Sequence, residues 1–175
     1  EVHPTATVYE GSVLGEGVKV LEGAVVGKQP TLSPRSTAKR EPLEPTTIGD
    51  GTIVSTGAIV FAGSRVGARV ILGDQSCVRE RVEVGDDVVL GRGSYIENDT
   101  TVGALTKIQA EAYITAYSTL ADNVFIGRNG IFYDRKGADW NATITKIVDN
   151  PISIGQAFWS PYKKVMRWIE ESVAK

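Results

Sequence analysis

The sequence predicts an all-β chain, a parallel β-helix of hexapeptide repeats closed by a C-terminal α-helix, and three observations lead there. An aliphatic residue recurs at every sixth position: Ile48, Val54, Val60, Val66, Leu72, Val78, Val84, Leu90, Ile96, Val102, Ile108, Ile114, Leu120 and Ile126, with Phe132 ending the series. Four positions after each aliphatic stands a small or β-branched residue, as at Thr52, Ala58, Ser64, Val70, Ser76, Val82, Val88, Ser94, Thr100, Thr106 and Ala112. Gly often follows the aliphatic directly, at positions 49, 67, 73, 85, 91, 103 and 127. Self-similarity at a fixed short period marks a stacked solenoid.

Six residues make one short strand and a turn, and three such sides close a coil of 18. The aliphatic points into a narrow core, and the residue four on packs beside it where a larger side chain would not fit. The Gly after the aliphatic suits a corner that demands an unusual backbone angle. With strands ~4.8 Å apart, about 6.7 coils give a prism on the order of 30 Å long.

The first run opens the chain at Val2, Val8, Leu14, Val20 and Val26. The step from Val26 to Ile48 is not a multiple of six, so the chain leaves the coil path and re-enters it. The excursion, Lys28 to Pro45, reads KQPTLSPRSTAKREPLEP. Its four prolines cannot serve a ladder of hydrogen bonds, so it is a loop. It is either a surface loop without function or a flap over a neighbouring subunit's site, offering Lys28, Arg35, Lys39 and Arg40 to phosphates.

Beyond Phe132 the frame fails. Asp134 to Asn150 is polar and irregular, and Ile154-Gly155 reads as one more corner. Ser160-Pro161 has the form of a helix N-cap with Pro at the first helical position. Tyr162, Val165, Met166, Ile169 and Val173 then share one helical stripe, with Lys163, Lys164, Arg167, Glu170 and Glu171 mostly elsewhere. Such a helix would cap the open end of the stack, with Trp159 and Trp168 packed there; contact with an acyl donor is the competing role. The expected organisation is a β-helix over 1–133, interrupted by a loop over 28–47, and an irregular segment with the helix over 134–175.

A net charge of −2 and a pI near 5.5 argue against nucleic acid or an anionic membrane as the main partner. The single cysteine, Cys77, cannot form an internal disulfide, which favours a reducing compartment and a cytoplasmic location. No charged-then-apolar leader and no apolar run near 18 residues is visible, so neither a signal peptide nor a membrane span is expected.

Residues 18 apart stack, and the three sides they form differ. The side begun by Ile48 turns Thr47, Arg65, Glu83, Thr101 and Thr119 outward, a solvated ladder. The side begun by Val54 shows Ile53, Ile71 and Val89, then Lys107 and Phe125, which calls for cover by a neighbour or the loop. On the side begun by Val60, the residues before the core position are Ile59, Cys77, Tyr95, Tyr113 and Ile131. Those after it are Phe61, Arg79, Glu97, Thr115 and Tyr133, followed by Ala62, Glu80, Asn98, Ala116 and Asp134. Aromatics beside charged and amide groups on one flat wall indicate an interface with a polar site in it; a plain subunit contact is the alternative.

Two stretches carry a resemblance to a known family. Lys107-Ile108-Gln109, followed by Leu120-Ala121-Asp122-Asn123-Val124-Phe125-Ile126-Gly127, resembles the KIQ…EDDVFIGP signature of sugar N-acetyltransferases of the hexapeptide-repeat family, as does Gly73-Asp74-Gln75-Ser76-Cys77-Val78-Arg79-Glu80. The resemblance implies a left-handed coil and a homotrimer. It also implies an enzyme that uses acetyl-CoA to acetylate the amino group of a nucleotide-linked sugar, with CoA in the groove between two prisms near the later coils. The chain departs from the pattern at Arg128, where the family has Pro, at Tyr133-Asp134 in place of Thr-Asn, and at Arg135 to Trp140 in place of a His-bearing glycine loop.

Acetyl transfer needs a nucleophile, a proton acceptor, a donor to the thioester oxyanion, and positioning. The one histidine, His3, opens the first coil and is not expected to be the base; a three-histidine metal site cannot be built. Glu80 and Glu97 are the candidate proton acceptors, with Asn98 as a catalytic orienting group. Gln75, Cys77, Arg79, Tyr95 and Tyr113 are the candidate substrate contacts. Cys77 reads either as a covalent acyl carrier or as a packed interface thiol. Arg128, Lys28 and Arg35 are the candidate acetyl-CoA contacts, and no metal is expected. Two other functions compete: a non-catalytic β-helix scaffold or assembly subunit, and an O-acetyltransferase, which lacks a general base here.

Overall fold

The computed structural model describes residues 1–35 and 40–132. Within them the chain winds through nineteen parallel strands on three walls. Wall 1 stacks β1 (Thr7–Val8), β4 (Val25–Lys28), β7 (Ile59–Phe61), β10 (Cys77–Val78), β13 (Tyr95–Ile96), β16 (Tyr113–Ile114) and β19 (Ile131–Phe132). Wall 2 stacks β2 (Val13–Leu14), β5 (Thr47–Ile48), β8 (Arg65–Val66), β11 (Glu83–Val84), β14 (Thr101–Val102) and β17 (Thr119–Leu120). Wall 3 stacks β3 (Lys19–Val20), β6 (Ile53–Val54), β9 (Ile71–Leu72), β12 (Val89–Leu90), β15 (Lys107–Ile108) and β18 (Phe125–Ile126). The result is a parallel β-solenoid, and the expected capping helix lies outside the described residues.

From Val8 to Ile126 the sixth-position aliphatics enter one continuous core, whereas Val2 at the first coil is exposed. Val54, Val60, Leu72, Val78, Ile96 and Ile114 are fully enclosed and belong to a single cluster running the length of the stack. Register is strict: Val78 lies between Val60 and Ile96, and Val84 between Val66 and Val102. The insertion adds residues without disturbing it. Leu14 pairs with Ile48, 34 positions on, where stacked pairs that do not span the insertion are 18 apart, so the loop contributes 16 extra residues to one coil. Residues 29–46 lie between β4 and β5, and the returning arm is tied to the stack. Gly63 N–H donates to the Glu44 carbonyl at 2.6 Å, and the Thr46 hydroxyl to the Phe61 carbonyl at 2.9 Å.

The small residue four after the aliphatic does more than leave room. Thr52 donates its hydroxyl to the Gly67 carbonyl at 2.8 Å and accepts the Val70 amide at 3.0 Å. Ser64 does the same with Arg79 and Val82, and Ser94 with Gln109 and Ala112. Each hydroxyl bridges one coil to the next at a buried corner, where an unpaired polar backbone group would be costly.

The glycines correct the sequence expectation. Except at Gly27, where the insertion begins, positive φ falls not on the Gly after the aliphatic but two positions later, and ordinary residues hold it at Arg69, Gln75, Arg81, Asp87, Asp99, Leu105, Glu111, Tyr117, Asn123 and Asn129. The Gly after the aliphatic is needed for closeness. A Cβ on Gly49 would meet the Gly67 carbonyl carbon at 2.5 Å, and one on Gly85 the Ala104 amide nitrogen at 2.7 Å. No angle is at issue there; the backbone of the next coil occupies the space.

Gly85→Ala should therefore cost about 3 kcal/mol of stability, the upper end for overpacking a rigid site. Gly57→Ala, at φ 67° with nothing nearer its Cβ than a Gln75 methylene at 3.6 Å, should cost about 1 kcal/mol. Urea unfolding of the two variants checks the order. A larger loss in Gly57→Ala would return the role of these glycines to backbone angle.

Candidate functional site

Wall 1 carries two outward rows, one on each side of its core row. Stacking at 18 residues places Ile59, Cys77, Tyr95 and Tyr113 in the first row and Phe61, Arg79 and Glu97 in the second. Because neighbouring coils are in contact, residues of one row also meet residues 16 positions on in the other, and the polar network follows from that diagonal.

Arg79 is its centre. Nε donates to Glu80 Oε2 at 2.9 Å and Nη2 to Glu80 Oε1 at 3.2 Å. Nη1 faces Glu97 Oε2 at 3.6 Å and lies 3.5 Å from the Tyr95 hydroxyl oxygen. The guanidinium carbon sits 5.1 Å from the Phe61 ring centroid, and Lys28 Nζ lies 5.6 Å from the same centroid. These are cation–π distances. Burial disfavours the charge on Arg79, but the bonds to Glu80 and Tyr95 outweigh it and raise its pKa, so the cation persists.

The two glutamates have different surroundings. The Glu80 side chain is 2 % exposed and both its oxygens are held by Arg79. Ala62, 18 residues earlier at the same corner, is equally enclosed. The Glu97 side chain is 18 % exposed; Oε1 accepts the Tyr113 phenol at 2.6 Å while Oε2 faces Arg79. The Tyr113 ring stacks on Tyr95 with centroids 5.6 Å apart and an interplanar angle of 16°. Burial and the bond to the Glu97 carboxylate push the Tyr113 phenol up to about 12.

Cys77 lies beneath Tyr95 and is buried. Burial raises its pKa, against the lowering effect of a hydrogen bond from the Tyr95 hydroxyl. A buried thiol whose proton is held more tightly than usual fits the packing role of the two the sequence leaves open better than that of a covalent acyl carrier.

Six of the expected residues thus converge: Cys77, Arg79, Glu80, Tyr95, Glu97 and Tyr113. Lys28, expected at the acyl donor, joins them instead through an irregularity in β4 that pairs it with Phe61. The others stand apart. Asn98 Nδ2 donates to Asp99 Oδ2 at 2.6 Å, and Asp99 is clasped by Arg81 through two bonds of 2.7 Å at the corner beyond the wall. Gln75 is exposed on a positive-φ corner. Arg128 is exposed on the corner after β18, 3.6 Å from Glu111, and Arg35 is exposed in the insertion. His3 sits at the opposite end of the stack, its Nδ1 2.9 Å from the Thr5 hydroxyl. Phe61 is the residue the sequence reading gave no role. Its signal was present, since the repeat places it directly below Arg79.

A shallow groove of about 570 Å³ runs along wall 2 past Arg65, Glu83, Thr101 and Asp122. None of the expected site residues lines it, and its ion pair, Arg65 with Glu83 at 3.7 Å, is exposed. Among the described residues no group of three His, Cys, Asp or Glu side chains gathers as a metal site would require, and no helix is long and apolar enough to cross a membrane.

No family model matches the chain. It is 29 % identical over 139 residues to an acyl-[acyl-carrier-protein]–UDP-N-acetylglucosamine O-acyltransferase of Campylobacter concisus, covering 74 % of this chain and 49 % of that one. Among solved structures it is similar to GDP-perosamine N-acetyltransferase from Caulobacter crescentus, solved with CoA and GDP-perosamine as a histidine-to-alanine variant. The identity is 31 % and the TM-score 0.60, covering 79 % of this chain and 56 % of that one. The acetyltransferase domain of PglB from Neisseria gonorrhoeae, solved with acetyl coenzyme A, is 25 % identical at a TM-score of 0.58, covering 71 % and 52 %. The chain spans about half the length of these relatives. A hexad frame that resumes after one insertion, a three-walled parallel solenoid and relatives of this kind lead to one reading: the chain is a hexapeptide-repeat β-solenoid similar to the acyltransferases of that family.

Proposed function

We propose that the chain is an acyl-CoA-dependent N-acetyltransferase acting on the amino group of a nucleotide-linked amino sugar. The observation that carries this is the partly open carboxylate of Glu97 on wall 1, bonded by Tyr113 and faced by Arg79. The reading is supported by the neighbours solved with CoA, one of which also holds GDP-perosamine. Glu97 is the proton acceptor. A neutral amine already carries its lone pair: it attacks the acetyl carbonyl, the C–S bond to CoA breaks, and the proton lost by the amine passes to the nearby carboxylate and on to the departing thiolate. Tyr95, Tyr113 and Phe61 supply apolar faces for the sugar nucleotide, and Arg79 and Lys28 supply positive charge for its phosphates. Acetyl-CoA is the co-substrate, and a cytoplasmic location fits the supply of both substrates.

The wall also supports a homotrimer. Tyr113 is 39 % exposed on a flat, aromatic-rich surface, which a neighbouring prism would cover. Light scattering at micromolar protein should give three times the chain's mass, and the mass of one chain would overturn this.

The function is tested first by melting temperature with acetyl-CoA and a panel of nucleotide-linked amino sugars, since a ligand that binds only the folded state raises it. Glu97→Gln should then lower the rate of acetyl-CoA consumption by about 10²–10⁴-fold, the usual loss for a positioned general base. His3→Ala should leave it nearly unchanged, because His3 is held at the first coil by Thr5. Absence of any ligand shift and of any turnover would move the assignment to a non-catalytic scaffold, while collapse in His3→Ala alone would reverse the assignment of the base.

The Tyr113–Glu97 bond predicts an alkaline effect. The phenol's folded value, pushed up to about 12 from 10.0, means its contribution to stability is complete below pH 10 and is lost as pH rises towards 12. Between those limits the melting temperature of Tyr113→Phe should fall less steeply than that of the parent; equal slopes would place the titration elsewhere.

A further inference from the structure

We infer that Glu80 is a positioning residue rather than a proton acceptor: it locks the Arg79 guanidinium so that its remaining edge faces Glu97 and Tyr95. The inference rests on the function proposed above and divides between two glutamates the role that their place in the sequence assigns to both.

Geometry separates them. A proton acceptor must meet the substrate, and the Glu80 side chain is 2 % exposed with no free oxygen. Glu97 is the more open of the pair. The fork between Glu80 and Arg79 uses Nε and Nη2, one whole edge of the guanidinium. Such a bidentate pair fixes the plane of the group as well as its place. The Phe61 ring below, with its centroid 5.1 Å from the guanidinium carbon, closes off another direction. Only Nη1 is left to reach across the wall, and it lies 3.6 Å from Glu97 Oε2 and 3.5 Å from the Tyr95 hydroxyl oxygen. Tyr95 in turn stacks on Tyr113, which donates to the other Glu97 oxygen. The orientation of the Glu97 carboxylate is thus set from both ends, and one end is anchored at Glu80. A buried carboxylate without its cation is strongly disfavoured, so the pair is retained as a unit.

The test is a double-mutant cycle of Glu80→Gln and Arg79→Lys, with Glu80→Asp as the conservative variant, read in two ways. The first is the pH profile of kcat/KM for acetyl transfer. Glu80→Gln should lower kcat/KM on the order of 10²-fold, as misplacement by about 1 Å can. The acidic limb of the profile should persist because Glu97 carries it, Glu80→Asp should recover most of the loss, and the Gln change should add little once Arg79 is Lys. Loss of the acidic limb in Glu80→Gln, or fully additive losses, would overturn the inference and make Glu80 an acceptor in its own right.

The second reading needs no turnover: the rate at which a neutral thiol reagent labels Cys77, which lies under Tyr95. Each single change should speed labelling by about tenfold or more, and the double variant should be no faster than Arg79→Lys alone, since coupled residues fail to add. Additive labelling would overturn the inference even if the protein proved to be no acetyltransferase. Absence of turnover with non-additive labelling would instead remove the functional reading and leave the lock standing. Should Glu80→Gln not fold, Arg79→Lys alone carries the test: Cys77 labelling that stays at the parent's rate in that variant would overturn the inference, because lysine cannot keep the forked bonds.

Discussion

At the corners of this prism, the backbone of one coil fills the space that a Cβ would need on the next. That contact is the constraint from which the remaining structure follows. It demands glycine at Gly49, Gly67, Gly85 and Gly103, and it permits only one register, since a slip would bring side chains into the same space. With the register fixed at 18 residues, every outward side chain stands over a known neighbour. The wall of Cys77, Tyr95 and Tyr113, and the row of Phe61, Arg79 and Glu97, are consequences of corner packing before they are features of a site. A solenoid has no distant tertiary contacts to hold a functional group in place, so stacking order does that work.

The same corners explain how polar backbone survives in a narrow core. Bridging hydroxyls at Thr52, Ser64, Ser94 and Thr106 satisfy both a carbonyl and an amide of neighbouring coils. Asp50, Asp86 and Asp122 accept the amides of Glu16, Ala68 and Ala104 at 2.8 Å each, capping the corners between walls 2 and 3. Left-handed backbone recurs at each corner and costs on the order of 1 kcal/mol or more where a residue such as Leu105 or Tyr117 holds it. The stacked ladders on either side over-determine these angles, which is why side chains of any kind are found there. Arg69 with Asp87 and Arg81 with Asp99, both pairs on such corners, form forked ion pairs between coils.

Much of this was legible in the sequence, because a period of six fixes which residues face inward and which stack. The core row, the three walls, the place of the insertion and the gathering of Cys77, Arg79, Tyr95, Glu97 and Tyr113 all follow from counting. Depth at the corners does not. Glu80 and Asn98 occupy the same frame position, yet one is enclosed over Arg79 while the other is drawn to Asp99. Nor does counting tell why a glycine is present, since closeness and positive φ leave the same letter. Nor does counting place Lys28: it ends the first run just where the frame breaks, and the irregular pairing of β4 with β7 sets it on wall 1 beside Phe61. The capping helix expected from the stripe of Tyr162, Val165, Met166 and Ile169 falls outside the described residues.

On the proposed reading, the composition of wall 1 also bears on which nucleophile it serves. Among the described residues the wall offers carboxylates, phenols, a thiol and cations, and the single histidine of the chain is at the other end of the stack. A carboxylate is a weak base, and it draws a proton from a sugar hydroxyl with little driving force. An amine places no such demand. It attacks as the neutral base, becomes strongly acidic once bonded to the acyl carbon, and then gives its proton to a nearby carboxylate. The absence of an imidazole from the wall therefore disfavours oxygen acylation more than nitrogen acylation. On that proposed reading wall 1 suits the chemistry of the N-acetyltransferases the chain is similar to better than that of the O-acyltransferase it is similar to.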